Sequence, residues 1–171
     1  WGGFIAGVDE FDPLFFGISP LEAEMVDPQE RLFLQHAWMA VEDAGYTRNT
    51  LQIPHDGDLK GQVGVYVGVM YSEYQLFGAQ VSAQSNAQKG SREKRIGVPG
   101  SYASVANRVS YIFNLHGPSM TLDTMCSSSS VAIHLACESI NNGDCQMALT
   151  GGVNLSLHPF KYYKLCDSNF L

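Results

Sequence analysis

The apolar positions of this chain follow two alternating rhythms. Between residues 27 and 45 the period is helical. Leu32, Phe33, Ala37, Ala40, Val41 and Ala44 share one face and Gly45 stops the run. Asp27-Pro28-Gln29-Glu30 opens that helix with a cap, a proline at the first helical position and a glutamate placed to reach back. Ser19-Pro20-Leu21-Glu22 repeats the device for a shorter helix just before it. The run 63–69 is short and β-branched, which predicts a buried strand. Ala103, Ala106, Val109, Ser110 and Phe113 predict a helix over 101–115 with a small-residue face, broken by His116-Gly117-Pro118. A strand over 119–125 and a helix over 127–142, stopped by Gly143, follow, and 147–153 reads as a further strand. Residues 1–18 read as an irregular but buried lead-in. Residues 71–100, rich in Gln, Ser, Ala and Gly, are the least regular part. Lys89, Arg92, Lys94 and Arg95 crowd around Glu93 there and read as a solvated loop, with docking of an acidic partner as the lesser alternative.

Helices and strands alternate, so the fold class is α/β with a largely buried sheet. A length of 171 residues, 45% hydrophobic and 16% charged, suits one ordinary domain. The chain starts at Trp1 without an initiator methionine and is expected to be a piece of something longer. A net charge of −7 argues against nucleic acid as a partner, because phosphate neutralisation needs a basic surface. No apolar run approaches the roughly 18 residues of a membrane span, and the N-terminus is not a signal peptide, so no membrane partner is expected. Cys126, Cys137, Cys145 and Cys166 form no C-x-x-C pair. Reduced thiols, a cytoplasmic setting and no bound metal are the expectation.

The sharpest chemical signal is Cys126. Residues 117–132 read as a turn, a strand, a lone cysteine and then a helix. A thiol at that junction meets the positive end of a helix dipole, where the nucleophilic thiolate is favoured. Backbone N–H groups of the first turn lack internal partners and can receive a developing oxyanion. The serine run 127–130 is poor helix interior but good near an N-terminus, which puts Cys126 at the cap. The residues alone also leave open that Cys126 is a buried small hydrophobe. A general base should lie within hydrogen-bond reach of a catalytic thiol, and the neighbouring histidines do not. His134 is about 12 Å along the helix, and His116 lies beyond an extended strand, on the order of 30 Å away. His36, His55 and His158 read as structural or surface residues. Cys137, about 16 Å of helix rise from Cys126, is too far for a disulfide and reads as core packing. Cys145 and Cys166 read as structural.

Taken in order, these segments resemble the ketosynthase domains of modular polyketide synthases and, more broadly, the β-ketoacyl synthases of fatty acid biosynthesis. Phe15-Phe16-Gly17-Ile18-Ser19-Pro20 is similar to the FFGISP motif. Asp27-Pro28-Gln29-Glu30-Arg31-Leu32, followed by Glu42-Asp43-Ala44-Gly45, resembles the DPQxRL…EDAG helix. Val65-Tyr66-Val67-Gly68 resembles the GVFVG strand, Asn107-Arg108-Val109-Ser110-Tyr111 the NRISY segment and Gly151-Gly152-Val153-Asn154 the GGVN strand. Asp123-Thr124-Met125-Cys126-Ser127-Ser128-Ser129 resembles the active-site signature, commonly DTACSSS. The methionine before the cysteine and the stretch 66–78 look most like bacterial synthases served by free-standing acyltransferases.

The resemblance implies a thiolase-like layered α/β/α/β/α fold, of which residues 1–171 are about the first half. It implies that Cys126 accepts an acyl chain from the phosphopantetheine of an acyl carrier protein, with its own N–H in the oxyanion hole. A decarboxylative Claisen condensation with a malonyl-type extender follows. Acyl and malonyl thioesters are the implied substrates, and no cofactor is expected to stay bound. It implies a homodimer through Ser119–Thr124 and helix 101–115. The two histidine motifs that the family uses for condensation do not occur in this chain, so the chain alone is expected to be inactive. Met125 either narrows the acyl tunnel or fills space in the core or dimer seam; packing is the preferred reading and substrate contact the alternative. A non-elongating domain that only binds or passes acyl chains is the alternative function. A third reading, a cysteine acyl-transfer enzyme or hydrolase on another α/β fold, lacks a local Cys–His pair and fits G-x-S-x-G spacing poorly.

Overall fold

The computed structural model describes residues 3–54, 60–80 and 101–170. Its helices are α1 (Pro20–Met25), α2 (Pro28–Asp43), α3 (74–80), α4 (Ala103–Phe113), α5 (Ser128–Asn142) and α6 (Pro159–Asp167), with a 3-10 turn at Thr50–Gln52. Strands β1 (Val63–Val69), β2 (Ser119–Leu122) and β3 (Met147–Val153) form a parallel sheet in the order β2-β1-β3. Val65 pairs with Ser119 on one side and with Leu149 on the other.

Every residue of the central strand β1 is buried. Its two-residue period divides the core. Val63, Val65, Val67 and Val69 join Phe33, Leu34 and Val41 of α2 and Val105, Ala106 and Val109 of α4. Tyr66 points the other way, to Ala132 and Ala136 of α5. Helices on both faces are why β1 reads as an unbroken apolar run rather than as an alternating one. Among the described residues no helix is long and apolar enough to cross a membrane.

Both predicted helix starts form. The Ser19 hydroxyl accepts from Glu22 N at 3.2 Å and the Asp27 carboxylate from Gln29 N at 2.8 Å, each with proline at the start. The reach-back glutamates are diverted. Glu22 and Glu30 both bind the Arg108 guanidinium of α4, and Glu30 also accepts from the Ser104 hydroxyl at 2.6 Å. A charge-assisted bond to a guanidinium is stronger than one to a neutral backbone N–H, so the tertiary partner wins.

Other expectations need correction. The lead-in is largely exposed: Phe16 and Ile18 are buried, but Phe4 and Leu14 are 92% and 75% accessible. In the described part of the stretch read as least regular, α3 begins at residue 74. The Lys89–Arg95 charge cluster and His55 lie outside the described residues. α6 has no counterpart in the sequence reading. Cys137 lies outside the core of this chain and is exposed in it. α5 turns Ser128, Ala132, Ala136 and Ser139 inward, so Cys137 falls on the outward stripe with exposed Ile133 and Ile140. The small-residue positions Ala106 and Val109 of α4 are spent inside the chain, while Tyr111 on the same helix is 85% accessible.

Candidate functional site

The site is built where the first turn of α5 lands on two glycines. A Cβ at Gly68 would lie 2.6 Å from the Ser128 carbonyl carbon and 2.7 Å from Ser129 N. A Cβ at Gly152 would lie 3.1 Å from Ser129 Cβ. The two glycines are register partners near the C-terminal ends of β1 and β3. Their missing side chains let a helix N-terminus settle directly on the end of the sheet. In open parallel sheets this carboxyl end is where ligands bind.

The link from β2 to α5 is a tight elbow, and β2 ends at Leu122 rather than at residue 125. Asp123 Oδ1 accepts from Met125 N at 2.9 Å, an Asx-type turn that competes with strand pairing. Met125 then adopts φ 59°, a left-handed conformation uncommon outside glycine. Its carbonyl accepts from Ser128 N at 3.1 Å and from the Ser128 hydroxyl at 2.7 Å. The Ser128 hydroxyl in turn accepts from Thr124 N at 2.9 Å, and the Ser127 hydroxyl donates to the Thr124 carbonyl at 2.7 Å. The serine run therefore closes the elbow. Ser127 is the N-cap residue of α5 but makes no side-chain cap bond.

Cys126 sits at the apex, one residue before that cap, and is exposed. This removes the alternative of a buried small hydrophobe. Two clefts meet at its side chain. One, of about 330 Å³, is lined by Gly68, Ser129, Gly152 and Asn154. The other, of about 410 Å³, is lined by Tyr71, Tyr102, Lys164 and Leu165. Met70, Met125 and Cys126 line both. Met125 is 54% accessible and forms cleft wall rather than core within this chain.

No histidine among the described residues lines either cleft. His116 Nδ1 lies 2.8 Å from the Lys60 carbonyl, before β2 begins. His134 is exposed, its Nε2 3.8 Å from Glu138. His158 caps α6, accepting from Phe160 N at 3.1 Å, and packs edge-on against Phe77. His36 lines a separate cleft between α2 and β3. Among the described residues no cluster of three or more His, Cys, Asp or Glu could hold a metal ion.

Sequence reasoning missed a buried polar cluster behind the cleft walls: Asp27, Gln29, Glu73 and Lys161 are each 6% accessible or less. Burial pushes the Asp27 carboxyl above the usual range, against hydrogen bonds from Gln29 and Ser72 that favour the anion. Burial pulls the Lys161 ammonium below the usual lysine range, with nearby Glu73 opposing it. Polar residues joined over 42 to 126 positions leave no local pattern. The only available signal was a glutamine directly after a helix-starting Asp-Pro.

Comparison with known proteins identifies the family. Polyketide synthase PksL of Bacillus subtilis (strain 168) is 56% identical over all 171 residues, which cover 4% of its length. Polyketide synthase ThaG of Burkholderia thailandensis is 56% identical over the whole chain and 3% of its own length. Among solved structures, the oxazolomycin ketosynthase domain OzmH KS7 of Streptomyces albus JA3453 superposes with a TM-score of 0.85 at 49% identity, over 100% of this chain and 27% of that one. The ketosynthase from module 6 of the Bacillus subtilis 168 bacillaene synthase gives 0.79 at 39% identity, over 97% and 25%. The chain thus spans about a quarter of these ketosynthase chains and under a twentieth of these two curated relatives. These neighbours carry the thiolase-like fold, and the parallel sheet with helices on both faces is its N-terminal part. The family model for the β-ketoacyl synthase N-terminal domain matches residues 1–171, and the chain belongs to that family.

Proposed function

We propose that this chain carries the nucleophile of a polyketide ketosynthase and that Cys126 is the residue acylated. The observation that carries the reading is an exposed cysteine on a strained elbow, at a helix N-terminus, where two clefts meet. In the first stage the Cys126 sulfur attacks the carbonyl of an acyl thioester on the phosphopantetheine arm of an acyl carrier protein. The oxyanion of the tetrahedral intermediate is met by the Cys126 N–H and the dipole of α5. The carrier thiol leaves and an acyl-cysteine thioester remains.

In the second stage a malonyl-type thioester loses CO₂. Its enolate carbon attacks the acyl-Cys126 carbonyl, a carbon–carbon bond forms, and the cysteine sulfur leaves. The product is a β-ketoacyl thioester two carbons longer. Decarboxylation is assigned to histidine motifs that this chain does not contain, so residues 1–171 are read as the N-terminal half of the catalytic domain and as inactive alone. The outer edge of β2 has no strand partner among the described residues, which supports pairing across a two-fold axis through Ser119–Thr124, with α4, the helix packed on β2, carrying an exposed Tyr111. Service by a free-standing acyltransferase and a cytoplasmic setting complete the reading. Met125, on the wall of both clefts, is read as a contact for the incoming acyl group.

The test is covalent loading of the complete enzyme, followed by intact mass. Cys126→Ala should abolish acylation from an acyl-carrier thioester. Persistent acylation of that variant refutes the assignment. Release of CO₂ from a malonyl-carrier thioester then separates elongation from mere passage of the chain.

A further inference from the structure

The two clefts at Cys126 are walled by loops that belong to different strands. Met70 and Tyr71 follow β1, and Asn154 and Leu155 follow β3. Neither loop is tied to the other by strand pairing, which stops at Val69 and Val153. A buried side chain spans them at the cleft. The Gln29 carboxamide, 1% accessible, donates from Nε2 to the Tyr71 carbonyl at 2.6 Å and accepts at Oε1 from Leu155 N at 2.9 Å. The polarity is matched at each end: the donor meets a carbonyl and the acceptor an amide. Lys161 completes the brace from α6. Its Nζ donates to Asn154 Oδ1 at 2.6 Å and to the Leu155 carbonyl at 3.0 Å, and it lies 5.3 Å from the centre of the Tyr71 ring. Leu155 is therefore held by its N–H from α2 and by its C=O from α6. Glu73, buried beside Lys161, accepts from Leu157 N and His158 N at 3.3 Å each and anchors the same loop further on.

We propose that Gln29 is a positioning residue for acyl transfer at Cys126, with Lys161 as its second anchor. It touches no reacting atom. It fixes the separation of the Tyr71 and Asn154 walls, and so the angle at which a thioester carbonyl meets the sulfur. This inference rests on the reading of Cys126 as the acylated residue. A wall shift of about 1 Å is enough to lower a transfer rate by one to two orders of magnitude, because few bound carbonyls then lie in line with the thiolate.

The experiment uses the complete enzyme with Gln29→Met, which keeps the length of the side chain and removes both the donor to Tyr71 and the acceptor for Leu155 N. Three quantities are read: the maximal rate of Cys126 acylation by an acyl-pantetheine thioester, its half-saturating concentration, and the rate of Cys126 alkylation by iodoacetamide. The maximal acylation rate should fall about tenfold. Half-saturation and alkylation should stay within about twofold, since a small reagent needs no aligned wall. Lys161→Met, which keeps the stem and removes the donors, should reproduce the split and stands in if the first variant does not fold. Unchanged acylation in a folded variant overturns the proposal. So does a parallel fall in acylation and alkylation, which would mark general disruption. Absence of acylation in the parent overturns the reading of Cys126, and this inference with it.

Discussion

Gly68→Ala tests whether the seat of α5 sets the reactivity of Cys126. The added Cβ would stand 2.6 Å from the Ser128 carbonyl carbon and 2.7 Å from Ser129 N, both backbone atoms that no rotamer change can move aside. Ordinary contact starts near 3.4 Å, so α5 must lift by about 0.8 Å at its N-terminus. Cys126 is two residues from Ser128 and moves with it. Overpacking of this kind costs about 1–3 kcal/mol, offset by about 0.4–1 kcal/mol from the stiffer unfolded chain. A net loss of about 1–2 kcal/mol should lower the melting temperature of the much longer complete enzyme by roughly 1–2 °C. The rate should suffer more, since a displacement near 1 Å costs up to about a hundredfold in a positioned reaction. Gly151→Ala is the matched control on β3, because its Cβ would meet only Phe33 Cε2 at 3.5 Å, an ordinary contact. The assay is the rate of Cys126 acylation followed by intact mass, beside a thermal melt, both on the complete enzyme. A Gly68→Ala enzyme with the parent's rate and melting temperature would refute the reasoning. So would a Gly151→Ala enzyme that loses as much.

Arg108→Ala should destabilise the complete enzyme by about 3–5 kcal/mol, because it leaves the buried Glu30 carboxylate without its cation; a denaturant titration that puts the variant within about 1 kcal/mol of the parent would contradict that. Asp27→Asn tests a carboxyl whose folded pKa is raised by burial. Such a group contributes fully below its unfolded pKa and loses that contribution as pH rises through the folded value. The stability of Asp27→Asn relative to the parent should therefore increase from about pH 4 towards neutrality, read by denaturant titration across that range, and a flat difference would exclude the effect. Met125→Ala removes a side chain that lines both clefts and should shift acyl preference towards bulkier chains in competition loading assays; unchanged preference would take Met125 out of substrate selection.

Much of the framework could be read from local chemistry. The strands 63–69 and 147–153 match to the residue, and α2 and α5 match within one residue at either end. Each carries a strong period and its own punctuation: Asp27-Pro28 and Gly45 around α2, Gly143 after α5. Cys126 was legible because a cysteine ahead of a serine run, between a strand and a helix, is an unusual local statement. Less legible was α6, whose polar face hid its period, and the burial of Lys161, which is paired with Asn154 Oδ1. The side of α5 buried within this chain was also hard to read, because four small residues rather than large apolar ones mark it.

Short-range signals along the chain were thus enough to specify the elements, the α/β class and the cysteine at the helix start, since caps, turns and side-chain periodicity act over only a few residues. Assembly in three dimensions settled the rest. It turned Gly68 and Gly152 into a seat for α5, bent Met125 into a left-handed conformation, and drew Glu22 and Glu30 from their own helix ends to Arg108. It also set Gln29 between loops 42 and 126 residues away. Contacts at such separations depend on which surfaces the strand order brings together, and that order is a property of the packed sheet rather than of any one segment.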